Sequence, residues 1–136
     1  MAWAARLGRL RLEGTLLSFL GVPVTAWVFS ALALGELVAD KLPSTPARTR
    51  PGPFVARMVS GAMSGGAVAA GSGGALGVGA VLGAVGAVVG TLAGYNARVR
   101  LVPALGVPDT VVALVEDLVA VGGALAIVAG LGRAAP

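Results

Sequence analysis

The chain has 136 residues, of which 57% are hydrophobic and 12% are charged, and its formal net charge is +4. Soluble domains usually carry about 25% charged residues, so this composition indicates that lipid is the solvent of most of the chain. Neither cysteine nor histidine is present, which excludes disulfides, thiolate nucleophiles, zinc sites and histidine acid-base catalysis, and no cofactor or metal site is expected.

The positive charges do not indicate a nucleic-acid partner. They occur in short clusters between apolar runs, and this is the pattern of loops next to a membrane. One lysine against nine arginines, with heavy use of alanine, glycine and valine, is typical of a bacterium with GC-rich DNA. The composition therefore predicts a bacterial integral membrane protein whose chain crosses the membrane several times, with the lipid bilayer as the first partner.

Residues 1 to 13 are amphipathic. Arg6, Arg9 and Glu13 alternate there with Trp3 and with leucines, and both a short helix in the membrane interface and an ordinary loop fit this pattern. The apolar run that follows is too long for the apolar region of a signal peptide. It is predicted to be retained as a membrane span.

The apolar runs divide into four spans of the length that crosses a bilayer core of about 30 Å. The block from Phe54 to Tyr95 is too long for one span, and the sequence GSGG at 71–74 divides it into two. The last run begins at Asp109, a candidate N-cap. The predicted fold is an all-α, polytopic membrane bundle in one domain, 1–136, with a glycine-rich central hairpin and spans at about 15–39, 54–70, 75–95 and 110–132.

Two basic loops are predicted between the spans. Residues 40–53 contain four prolines, so neither a helix nor a strand is expected to run through them. Residues 96–108 are predicted as the second loop. With Arg57, the two loops carry more Arg and Lys than the two termini, a bias that favours cytoplasmic loops and external termini.

Glycines follow one face of the third predicted span. At 100° per residue they fall within an arc of roughly 80°, and such a face lets another helix approach closely. Ser60, Gly61, Ser64 and Gly65 add small residues to the preceding span. Close packing, within the fold or in a homo-oligomer, is one interpretation, and a pore or groove lined by backbone is the other. The helix-packing candidates are Gly79, Gly83, Gly86, Gly90 and Gly94.

Two pairs of acids occur in or beside the apolar runs. Glu116 and Asp117 lie about 10 Å along the last span from Asp109. Carboxylates at that depth face the interior of a bundle, pair with a cation or stay protonated. Glu36 and Asp40 are four residues apart, so they share a helical face and repel each other unless a cation intervenes.

The candidate cations for these acids are Lys41, Arg57, Arg98 and Arg100, all on the same predicted side of the membrane. One interpretation is a cluster of ion pairs that fastens loop to helix. The other is a polar site that handles a small cation, a proton or an anionic headgroup. The candidates for this polar site are Glu36, Asp40, Lys41, Arg57, Glu116 and Asp117.

Four segments carry a family resemblance, namely LALGELVADKLPSTPARTR, ARMVSGAMSGGAVA, GAVGAVVGTLAGY and ALVEDLVAVGGALAIV. Above all in E-L-x-A-D-K-x-P-S-T-P and E-D-x-x-A-x-G-G-A-L, residues 3 to 130 resemble the bacterial membrane-protein family catalogued as domain of unknown function 4126. The resemblance implies a multi-span inner-membrane protein and brings no established activity. Family members usually carry one further apolar segment ahead of the part that matches Trp3 to Gly8. The positions that match the family pattern are Glu36, Asp40, Lys41, Pro43, Arg57, Ser60, Gly61, Glu116 and Asp117.

Two functions from different classes stay open. One is a small transporter or channel-like protein whose acids form a polar site for a small ion or a proton, with Arg57 or Lys41 as the counter-charge. The other is a non-catalytic scaffold or assembly protein that packs partner helices through its glycine faces. An enzyme acting on lipid is disfavoured, because no nucleophile with an orienting base is recognisable.

Overall fold

The computed structural model describes residues 1–39 and 51–131, and α-helices make up most of both ranges. A short 3₁₀ turn, Ser18–Gly21, precedes the second helix. Neither described range contains a β-strand, so the predicted all-α class is confirmed for this part of the chain. The five helices are α1 Ala2–Arg6, α2 Pro23–Ala39, α3 Pro51–Gly71, α4 Leu76–Leu105 and α5 Asp109–Leu131.

Two helix boundaries correct the predicted loops. Helix α3 begins at Pro51, inside the predicted loop 40–53, because the first turn of a helix has free N–H groups anyway and so accepts proline. The prediction of a loop over 96–108 was wrong for 96–105, since α4 continues to Leu105, and only 106–108 connect it to α5. Its arginines were interpreted as loop residues, although the sequence contains no proline between Leu76 and Pro103 that would break the helix. The helix ends at Gly106, which takes the left-handed conformation with φ of 62°.

The first predicted span, 15–39, is regular α-helix only from Pro23 onward. The residues before it fold back on the helices and bury four of their leucines, Leu10, Leu12, Leu17 and Leu20. Leu10 packs against Gly71 at the end of α3, and Leu17 packs against Gly66. The buried cluster formed in this way contains Ala2, Ala4, Leu10, Leu12, Leu17, Leu20, Ala26 and Ala67.

Trp3 fastens this N-terminal segment to α2. Its indole Nε1 donates a hydrogen bond of 2.8 Å to the hydroxyl of Ser30. The ring also meets Trp27 edge to face, with the ring centroids 5.2 Å apart, a geometry that aromatic pairs prefer. The amphipathic N-terminus is therefore a short helix held against its neighbour through one aromatic side chain.

Helices α3 and α4 make the closest contact in the described fold. They run antiparallel, because the turn Ser72–Ala75 joins them directly. A Cβ placed on Gly61 would lie 2.6 Å from the carbonyl oxygen of Gly83, and a Cβ on Gly65 would lie 2.8 Å from the Cα of Gly83. Real side chains do not come this close, so only glycine permits the two backbones to approach as they do.

Helices α4 and α5 are long and apolar enough to cross a membrane. In the most apolar stretch of each, 11% of the residues are buried within the chain, whereas the core helix of a water-soluble protein would be mostly buried. Leu82 of α4 and Leu118 of α5, for example, are 65% and 73% exposed. Monomeric soluble proteins rarely expose so much contiguous apolar surface, so these helices require an apolar environment outside the chain.

Candidate polar site between helices α3, α4 and α5

An open cleft of about 700 Å³ lies between α3, α4 and α5, and it is called the acid cavity below. Its volume falls within the range of about 300 to 1,000 Å³ that is usual for ligand pockets. Glycine, alanine, valine and leucine form the rest of its wall. The polar side chains that line it are Arg57, Ser60, Ser64, Thr91, Glu116 and Asp117.

Arg98 ties α5 to α4 beside this cavity. Its Nη2 donates a hydrogen bond of 2.7 Å to Glu116 Oε2, and its Nε lies 3.4 Å from Asp109 Oδ1. Asp109 and Glu116 are seven residues apart and therefore on one helical face, so a single guanidinium reaches both. Arg98 and Glu116 are 19% and 23% exposed, and a charge-assisted hydrogen bond in such surroundings is among the strong ones.

Arg57 makes a second ion pair, with α2. Its Nη2 lies 3.7 Å from Glu36 Oε1, and the Glu36 side chain is 62% exposed. The same arginine lines the acid cavity together with Glu116 and Asp117. Arg57 therefore lies between Glu36 on one side and the cavity acids, Glu116 and Asp117, on the other.

The structure thus places four of the six predicted polar-site residues in one region: Arg57, Glu116 and Asp117 line the cavity, and Glu36 pairs with Arg57. The remaining candidates, Asp40 and Lys41, lie outside the described residues. Their roles, like those of the others, stay predictions.

Arg98 is the functional residue that the sequence interpretation undervalued. It entered only as one of several loop cations, because α4 was expected to end before it. The signal that could have placed it is the helical spacing, since Arg98 comes four residues after Gly94 and continues the glycine face of α4. At the Gly94 end this face lies against α5, where Glu116 is found.

The predicted glycine face of α4 divides into two parts. Gly79 and Gly83 lie against the backbone of α3. A Cβ added to Gly86 or Gly90 would meet no atom within 4 Å, and one added to Gly94 would lie 3.5 Å from a carboxylate oxygen of α5. Gly90 and Gly94 line the acid cavity. The face therefore contains two arrangements. Gly79 and Gly83 pack closely on α3, and Gly90 and Gly94 form part of the cavity wall.

A second cavity, of about 340 Å³, lies between the N-terminal segment, α2 and α3, and it is called the N-terminal cavity below. Trp3, Phe29 and Met63 supply much of its apolar wall. Its lining contains no charged side chain. The hydroxyl groups in its wall belong to Ser30, Ser60 and Ser64.

Comparison of the chain with models of protein families, with curated proteins and with solved structures gives no match. What the site can bind follows from its own side chains. Two carboxylates and one guanidinium line the acid cavity, so its wall is net negative when all three are ionised. Such a wall suits a cation or a proton better than an anion.

Proposed function

We propose that this protein is a small integral membrane protein that moves a proton or a small cation through the acid cavity, across the inner membrane of a bacterium. The observation that carries the proposal is the presence of Glu116 and Asp117 in the wall of a cavity of about 700 Å³, among helices with apolar outer surfaces. Ionisable groups inside membrane spans mark ion pathways and proton relays. The resemblance to the family catalogued as domain of unknown function 4126 includes both acids.

In this proposal four helices cross the bilayer. Helices α4 and α5 have the length and apolarity to do so. Helix α3 has 21 residues and is therefore about 31 Å long, close to the hydrocarbon thickness of about 30 Å. Helix α2 has 17 residues, about 25 Å, which is the shortest of the four. Helices α3 and α4 then form the glycine-rich central hairpin, and exposed valines and leucines face the acyl chains.

The two acids take different parts. Glu116 is held by Arg98 at 2.7 Å, so it contributes to the joint between α4 and α5 as well as to the charge of the cavity. Asp117 follows it at about 100° around the helix axis and lines the same cavity. We assign a contact with the transported cation to both carboxylates, and a positioning part to Glu116 as well.

Reconstitution into liposomes, with pH and cation flux as the readouts, tests the proposal. Asp117→Asn should lower the flux by about tenfold, equivalent to about 1.4 kcal/mol. Glu116→Gln should lower both flux and stability, because it also weakens the joint to Arg98. Glu13→Gln is the matched control, since Glu13 is exposed and lies far along the chain from the cavity. Wild-type flux that survives both cavity substitutions would contradict the proposal.

A scaffold or assembly function is the second candidate, and α5 supplies the observation that favours it. A Cβ added to Gly122, Gly123 or Gly130 would meet no atom within 4 Å, so these small residues leave room for a helix of a second copy or of a partner. The scaffold predicts that Gly123→Leu abolishes an oligomer seen by size exclusion in detergent, and that liposomes with wild-type protein carry no flux. Transport predicts that flux is present in wild type.

A further inference from the structure

The acid cavity and the N-terminal cavity meet at the same stretch of α3. Ser60 and Ser64 line both of them. Every other residue of either wall belongs to one cavity alone. These two serines are therefore the border between the two spaces.

The border residues belong to a polar stripe on an otherwise apolar helix. At 100° per residue, Arg57, Ser60 and Ser64 fall within an arc of about 60°, and the stripe extends about 10 Å along the axis. The neighbouring face of α3 carries Gly61 and Gly65, which pack on α4. The stripe therefore runs beside the tight helix contact, from the guanidinium in the acid cavity to the hydroxyls at the border.

The serine hydroxyls can bind water and cations. Ser60 Oγ donates its hydrogen to the carbonyl of Arg57 at 3.1 Å, which leaves its lone pairs to accept a hydrogen bond or to face a cation. In the N-terminal cavity, Ser30 Oγ accepts from Trp3 Nε1 and donates to the carbonyl of Ala26, both at 2.8 Å. Polar groups in a space of this size favour bound water, whereas a wholly apolar cavity stays dry.

We propose that the stripe of Arg57, Ser60 and Ser64 lines one hydrated passage that joins the two cavities, and that a proton or small cation leaves the acid cavity past these serines. The identity of the ion that uses this passage rests on the proposed transport function. Its hydration, by contrast, follows from the cavities and the stripe alone. Serine oxygens suit water, a relayed proton or a small hard cation.

The absence of cysteine from the sequence allows a direct test by thiol labelling. Ser60→Cys and Ser64→Cys, in proteoliposomes, are treated with a charged, water-soluble thiosulfonate and, separately, with a neutral, membrane-permeable maleimide. Both variants should react with the charged reagent, and the modification should lower the flux by about tenfold, or about 1.4 kcal/mol. Ser72→Cys is the control. Ser72 is exposed in the turn after α3 and lines neither cavity, so it should react without loss of flux.

Reaction of both border cysteines with the neutral reagent only would overturn the passage, because their surroundings would then be dry. Reaction with the charged reagent without loss of flux would overturn it as well, since the cation would take another route. If wild-type protein carries no flux, the transport function fails. The labelling result stands apart from this: reaction of the border cysteines with the charged reagent supports a hydrated border, and lack of reaction refutes it. Ser64→Ala and Ser64→Thr provide a second measurement, in which the variant that keeps the hydroxyl should retain the flux.

Discussion

The two halves of α4 carry the same glycine pattern and differ in what it produces. Near the turn, Gly79 and Gly83 touch the backbone of α3. Further along, Gly90 and Gly94 border the acid cavity. The partner helix accounts for the difference: α3 presents glycines to the first half, and its long Arg57 lies at the cavity beside the second. A glycine face allows close helix packing only where the facing helix also presents small residues.

A large effect, comparable to that of breaking the strongest ion pair, is expected from breaking the packed half. Gly83→Ala puts a Cβ against the carbonyl of Gly61, so the two backbones must separate, and overpacking of this kind costs about 1 to 3 kcal/mol. Thermal unfolding in detergent measures the change. In Gly86→Ala the new Cβ meets no atom within 4 Å, and the gain in helix propensity, up to about 1 kcal/mol, should leave stability equal or higher. Equal melting temperatures for the two variants would contradict the division of α4 into halves.

The stability of the half of α4 that borders the acid cavity should depend on ion pairs, whereas that of the packed half depends on backbone contact with α3. Arg98→Gln removes the 2.7 Å ion pair with Glu116, and a hydrogen bond between charged groups contributes about 1.5 to 3 kcal/mol. Arg100 is exposed, so Arg100→Gln should change stability by less than about 0.5 kcal/mol. A double-mutant cycle with Glu116→Gln isolates the pair. A coupling energy near zero in that cycle would mean that α5 is held in place by something else.

The smallest effect is expected for the pair of Arg57 and Glu36. The distance is 3.7 Å and the Glu36 side chain is 62% exposed, so the coupling should be about 0 to 1 kcal/mol and should shrink further as salt is added. Double-mutant cycles of Arg57→Gln and Glu36→Gln at low and high salt measure it. A large coupling that salt does not change would show that Glu36 is buried in the membrane-embedded protein, and that α2 closes over the acid cavity.

The sequence was sufficient for the helical class, because the long apolar runs with scattered glycine exclude an alternating strand pattern. It was also sufficient to single out Arg57, Glu116 and Asp117, since charges in apolar runs are costly and therefore conspicuous. Whether these groups bind a cation stays a prediction.

Long-range contacts were beyond the reach of the sequence pattern. The packing of Leu10 on Gly71 joins residues 61 positions apart, and no periodicity encodes such a pair. The length of α4 was missed for a different reason, because arginines at Arg98 and Arg100 look like loop residues next to a membrane. Inside the helix, Arg98 instead donates a hydrogen bond to Glu116 and forms an ion pair with Asp109, and these contacts depend on how the helices pack.

The length of α4 has a consequence for the membrane around it. Its 30 residues give about 45 Å, whereas the hydrocarbon layer is about 30 Å thick. The helix is thus about 15 Å longer than the layer, so its tilt, or its extension beyond one surface, sets the depth of Arg98 and of the Glu116 carboxylate that Arg98 binds. Lipids with longer chains would draw this pair into the hydrocarbon, and shorter ones would release it to water. Bilayer thickness is therefore expected to tune how readily water reaches the carboxylates.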